Sequence, residues 1–266
     1  NTAVGYTALA ANTTASNNVA VGHNSLVANT TGATNTAVGM GSLQANTTAS
    51  DNVGIGHSAL EANTTGAGHT SIGKNTLKAV TTANYLTAVG SGSGAANTTG
   101  SELVAVGRNA LNANTTGDSN TAIGMRALDV NTTGNNNTAI GADALGSQTT
   151  GLENTVIGAQ AGKNITTGPD NIVIGFQAAA HVTDLITGNQ NILIGNYSDT
   201  TATDSSNQIV MGYNVTSAGN SNFTFGVNTT DSNISFGETS IGAPSDVRLK
   251  EDIQDEEVGL DFINDL

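Results

Sequence analysis

A single spacing constrains this chain more than any other feature. A short string of small and apolar residues ends in glycine at Gly5, Gly22, Gly39, Gly56, Gly73, Gly90, Gly107, Gly124, Gly141, Gly158 and Gly175, a step of 17 repeated without a slip. The consensus is N-T-A-V-G-x-x-A-L-x-A-N-T-T-G-x-x. A freely looping chain has no reason to keep such a phase, but stacked coils must, because each lies in register on the last. A unit this short cannot hold a pair of helices. The residue before every repeat glycine, from Val4 to Ile174, is Val or Ile, and a β-branched column favours strand over helix. We therefore expect an all-β parallel β-solenoid, with the glycine supplying a bend at φ > 0 and Asn-Thr-Thr-Gly a second corner. Strands spaced about 4.8 Å apart would stack eleven regular coils into a rod of roughly 50 Å.

Two columns are expected to face inward. One is the Val/Ile column; the other is the leucine four positions after the glycine: Leu9, Leu26, Leu43, Leu60, Leu77, Leu111, Leu128 and Leu145. Asn recurs four positions before most repeat glycines, as at Asn18, Asn35, Asn52, Asn120, Asn137, Asn154 and Asn171. Stacked amides of this kind form ladders. A second asparagine opens an N-T-T sequon in most coils, which we read as a repeated turn rather than a glycosylation site. Hydrophobic residues make up 37% of the chain and aromatic residues 3%, where a globular domain carries about 45–50% apolar residues. The core is therefore thin, and lateral association of identical chains is the simplest way to cover what it leaves exposed.

The same composition narrows the chemistry. No cysteine is present, which rules out disulfides and thiolate sites. A net charge of −14 makes duplex nucleic acid a poor partner, and no apolar run reaches the roughly 18 residues that would suggest membrane insertion. No G-x-G-x-x-G or P-loop opens a helix, the acids are scattered, and His23 and His57 lie two coils apart. Neither a cofactor nor a metal is implied. The chain does not begin with Met and starts in phase with the repeat, so we expect it to be a segment of a longer protein.

The period breaks in three places. The step from Gly175 to Gly195 is longer by three, so a loop near Ala179–Leu185, around His181, must bulge from the rod. After Gly212 the steps shorten to 14 and 11, and Phe223, Phe225 and Phe236 appear. We expect residues 1–212 to be the solenoid shaft and 213–244 a tapering neck closed by an aromatic plug. Residues 245–266 change character, with eight acids and two bases.

The N-T-A-V-G and N-N-V-A-V-G strings resemble the YadA-like head repeat of trimeric autotransporter adhesins. That resemblance covers about residues 1–212 and implies a homotrimer of left-handed parallel β-rolls. The string Ser245-Asp246-Val247-Arg248-Leu249-Lys250-Glu251-Asp252-Ile253, followed by Gly259-Leu260-Asp261-Phe262-Ile263, resembles the start of the C-terminal intramolecular chaperone of phage tailspikes and tail fibres. In that family the domain helps three chains to assemble and then cuts itself off. The resemblance implies a cleavage site at Ser245–Asp246, a Ser245–Lys250 dyad, and Arg248, Leu249 and Ile253 as chaperone motif residues. A lysine serves a serine as base only if burial lowers its pKa from about 10.4 towards 7–8. Attack by Ser245 on its own carbonyl would need a four-membered ring, and attack on the preceding carbonyl would cut before Ser245, so the scissile bond stays open. Only the first part of such a domain is present, and no cleavage by this segment alone is expected.

Together these readings imply a structural, receptor-binding shaft of a trimeric phage tail fibre or tailspike, located in the virion and without enzymatic activity beyond self-cleavage. Its partner would be a host cell-surface receptor, a glycan or outer-membrane component. One alternative is the head of a bacterial surface adhesin. Another is an ice-binding or surface-templating solenoid. Against that one, the threonines at Thr13, Thr30, Thr47 and Thr64 are each followed by a second threonine, and adjacent residues on a strand point in different directions.

Overall fold

The computed structural model describes residues 1–228 and 230–237; Ser245, Asp246, Arg248, Leu249, Lys250 and Ile253 lie outside the described residues. The chain winds as a β-solenoid. Its strands are β1 (Thr2–Val4), β2 (Val19–Val21), β3 (Thr36–Val38), β4 (Val53–Ile55), β5 (Thr70–Ile72), β6 (Thr87–Val89), β7 (Val104–Val106) and β8 (Thr121–Ile123). They continue as β9 (Thr138–Ile140), β10 (Thr155–Ile157), β11 (Ile172–Ile174), β12 (Ile192–Ile194), β13 (Ile209–Tyr213), β14 (Asn222–Val227) and β15 (Thr230–Ser235). All fifteen form one sheet in sequence order. Neighbours pair in parallel from β1 to β14, and β15 turns back antiparallel on β14. The S-N-I-S-F-G string is therefore not a further, shorter coil: its strand reverses and pairs with the last rung.

Each coil turns sharply because its repeat glycine has φ near +135°, as at Gly22 (+134°), Gly124 (+139°) and Gly141 (+135°). A Cβ on Gly124 would sit 2.4 Å from the carbonyl oxygen of Gly141 in the next coil, so only glycine lets the corners stack this closely. The buried leucines also have φ near +50°, Leu26 at +49° and Leu60 at +54°. That region costs an ordinary residue about 1–2 kcal/mol. Burying a leucine side chain contributes roughly 1.5–3 kcal/mol and offsets this.

The expected inward position of the Val/Ile column is wrong. Each short strand points its central residue inward: Ala20, Ala37, Ala88, Ala105, Ala122 and Ala139 are all at most 1% exposed. The flanking residues alternate outward, as a strand requires, leaving Ile123 38% and Ile157 37% exposed. Size explains the inversion, because the coil interior already holds a leucine and two asparagines and leaves room for little more than a methyl group. Where one interior side chain shrinks, another grows. Gly94 replaces the leucine in the coil that opens with Leu86, and Gly162 does so where Ile165 replaces the second asparagine. Both Leu86 and Ile165 are fully buried.

The asparagine ladders are present, and there are two. Asn120 Nδ2 donates to Gly134 O (2.7 Å), and its Oδ1 accepts the backbone N–H of Asn137 (3.0 Å) in the next coil. From the second column, Asn131 Nδ2 donates to the same Gly134 O (3.0 Å) and to Asn114 Oδ1 (2.9 Å). The corner carbonyl, buried and turned inward, thus receives two side-chain donors, as buried polar groups require. Asn29, Asn46, Asn63, Asn97, Asn114 and Asn131 open N-T-T sequons yet are fully buried, which closes them to glycosylation.

His69 stands in the first ladder in place of asparagine. Its Nδ1 accepts the Leu86 N–H (3.3 Å), as an asparagine Oδ1 would. Nε2 faces the Ala83 carbonyl, the equivalent of the ladder's usual acceptor, without closing a hydrogen bond. Only the neutral ring with Nε2 protonated can fill this role. Burial lowers its pKa to about 4, against a weaker opposing pull from Ala83 O. Because the folded pKa is depressed, this contribution is complete above pH 6.5 and is lost as pH falls towards 4, a change of about 3 kcal/mol. The urea midpoint of the wild type should therefore fall further between pH 7 and pH 4 than that of His69→Asn. Equal falls would show that His69 does not sense acid.

Candidate functional site

Four surface features stand out, built from what the coils turn outward. The first is the outer side of the sheet. Two columns run along it, Thr, Val or Ile at the first strand position and Val or Ile at the third, unbroken from Val4 to Ile194. The chain's own core does not use these side chains. At about 4.8 Å per rung the face is on the order of 60 Å long, and contiguous apolar surface of this extent marks an interaction site.

The second feature is the inserted loop. It leaves the rod after Ala179 and returns by Leu185, both fully buried, while β11 and β12 keep their pairing, Ile172 opposite Ile192. The insertion therefore changes the surface without disturbing the stack. Asp199, 1% exposed, holds the loop: its Oδ2 accepts the N–H groups of Val182 (2.6 Å) and Thr183 (2.8 Å), and its Oδ1 that of Thr200 (3.0 Å). Burial keeps the carboxyl above its ordinary range, although these three N–H groups and His181 pull it down. Asn164 Nδ2 donates to Asp184 Oδ1 (2.7 Å), tying the loop to the coil before it. The loop sets His181 against Tyr197, with ring centroids 4.6 Å apart. Asp199 was not singled out from the sequence, and its place one repeat length after Val182 was the available signal.

The third feature is an apolar groove of about 630 Å³ along the ladder Ala28, Ala45, Ala62 and Ala79. It is flanked by the Lys78–Glu61 ion pair (3.4 Å). The fourth is a small charged cleft between Arg126, Asp129, Asp143 and Lys163, where Arg126 Nε lies 2.8 Å from Asp143 Oδ1.

Among the described residues, no three His, Asp or Glu side chains are grouped to hold a metal ion. His23 stacks on Tyr6, with centroids 5.4 Å apart. Phe223 and Phe225 lie side by side at 5.0 Å, and Phe236 is 49% exposed in the single chain. Among the described residues no helix is long and apolar enough to cross a membrane. No protein family model, curated protein or solved structure matches this chain.

Proposed function

We propose that the chain is the shaft of a homotrimeric host-attachment fibre of the phage tail-fibre type. The observation that supports this most is the outward Val/Ile column. A β-branched stripe runs the length of the rod, serves no purpose inside its own coil, and suits a contact repeated at every rung between identical chains. In this reading the shaft itself is passive. It is a stiff hydrogen-bonded rod that carries recognition surfaces to a host receptor, with three copies supplying avidity. The Ser245–Ile253 string adds assembly and self-cleavage near Ser245 and Lys250 in a longer precursor, again by resemblance. A bacterial adhesin head would use the same shaft in the same trimer at a cell surface.

Light scattering after size exclusion tests the reading. The expected mass is three times 26.5 kDa; a concentration-independent monomer would overturn it. One observation favours a second reading. Outward Thr and Val on β3 and β6, and Thr and Ile on β9, form ranks two positions apart on one sheet, the regular spacing a templated ice surface needs. The monomer outcome, together with thermal hysteresis in a cooled droplet, would establish it instead.

A further inference from the structure

Aromatic rings are scarce in this chain, five Phe and four Tyr in 266 residues, yet three of the nine meet on one surface. Phe176 and Tyr197 stand edge to face with centroids 5.4 Å apart, and Tyr197 and Tyr213 do so at 5.8 Å. His181 closes on Tyr197 from the inserted loop. The strip therefore crosses three successive coils. Phe176 is 39% and Tyr213 51% exposed, so neither ring is spent on the core. The loop that completes the strip is pinned by the buried Asp199 carboxylate, which makes the surface preformed.

Polar groups line the same strip and are left over. Asn196 uses its Oδ1 to accept the Phe176 N–H (2.9 Å), and Asn214 uses its Nδ2 to donate to Asn228 Oδ1 (3.1 Å). The Nδ2 of Asn196, the Oδ1 of Asn214 and the two tyrosine hydroxyls have no hydrogen-bond partner among the described residues. The stretch of chain that carries the strip is one-sided in charge. No Lys or Arg occurs between Lys163 and Arg248, while Asp184, Asp199 and Asp204 fall inside that span.

We propose that Phe176, His181, Tyr197 and Tyr213 form a binding site for a neutral glycan. The C–H face of a pyranose lies against the electron-rich face of an aromatic ring, and its hydroxyls suit unpaired amide and phenol groups spaced along the strip. The stretch that carries the strip offers an acidic sugar no Lys or Arg to pair with, so we assign a ligand without net charge. The chemistry stands on the single chain. Only the source of the glycan, a host cell surface, rests on the fibre reading.

The test is binding of the purified chain to a printed panel of neutral and acidic bacterial polysaccharides. Phe176→Ala and Tyr213→Ala are the strip variants, and Tyr85→Ala, whose ring is 72% exposed elsewhere, is the control. The wild type should bind at least one neutral polysaccharide. Both strip variants should lose tenfold or more of that binding while keeping the wild-type thermal melt, and the control should keep both. Binding to acidic glycans alone, to none, or equally well by the strip variants would overturn the site. A fall in solution mass on Tyr213→Ala would also overturn it, by making the strip a subunit contact. The mass of the unaltered chain tests the fibre reading separately, so the two failures are distinguishable.

Discussion

Gly124→Ala is expected to destabilise the rod by roughly 2–6 kcal/mol, the sum of a forbidden backbone conformation and an overpacked contact. The glycine has φ +139°, and the added Cβ would lie 2.4 Å from Gly141 O and 2.5 Å from Gly141 C. Both are backbone atoms of the next coil and cannot step aside, since a Cβ on Gly141 would itself lie 2.4 Å from Gly158 O. Because each coil touches only its neighbours, the damage should open the interface locally before the whole rod melts. Amide exchange should therefore rise first around residues 124–141, and the urea midpoint should fall. Gly41→Asn is the control. Its φ is +66°, it lies at the position Asn24 and Asn75 hold in other coils, and the nearest obstacle is the flexible Gln44 side chain at 3.2 Å. That variant should match the wild type or gain up to about 1 kcal/mol from a less flexible unfolded chain. Equal melts for Gly124→Ala and wild type would show that the corners are not packed backbone on backbone.

The second large effect concerns assembly. In the proposed trimer, Ile123→Lys combined with Ile157→Lys should reduce the solution mass from three chains to one of 26.5 kDa. A buried, unpaired ammonium costs several kcal/mol, and three chains would bury six of them. The urea midpoint of the single chain should hardly move, because both side chains point away from its own core. The matched control puts the same charges at Thr116 and Thr133, exposed on another side of the rod, and should leave the mass unchanged. A double variant that keeps the mass of three chains would remove the sheet face as the subunit contact.

How much of this was legible in the sequence depends on which residues carry the signal. The fold was, because a period of 17 held from Gly5 to Gly175 leaves few alternatives to stacked coils. The leucine column and the ladder from Asn18 to Asn171 were also readable, each being a single residue type at a fixed offset. The direction of the strands was not. Hydrophobicity placed Val21 and Ile123 inside, whereas the interior size limit puts Ala20 and Ala122 there. The signal was present in the central strand position, which stays Ala, Gly or Ser for nine coils and grows to Val156, Val173, Leu193 and Val210 only later. The second ladder was hidden inside a sequon. His69 as a stand-in for asparagine was invisible, since its role rests on which ring nitrogen meets which coil. The loop at His181 was found as an extra length, but the aromatic strip it completes depends on Phe176, Tyr197 and Tyr213 lying on successive coils. Their steps along the chain are unequal, because the insertion falls between the first two and Tyr197 stands two places after its glycine where the others stand one, and that conceals the adjacency.

The two amide ladders have a mechanical consequence. Their bonds run along the rod, so tension applied at its ends passes through the coil interfaces in series, and each interface carries the whole load. Interfaces with the most directional cross-links stretch least. Both ladders are interrupted together in one short section: Val80 follows Asn63 in one column, leaving Asn63 Oδ1 unpaired, and Leu86 and Leu103 follow His69 in the other. Apolar contacts there give way gradually, whereas a hydrogen bond is lost within a fraction of an ångström. Under load the shaft should extend first at this section, which then acts as its compliant joint while the asparagine-rich lengths on either side stay rigid.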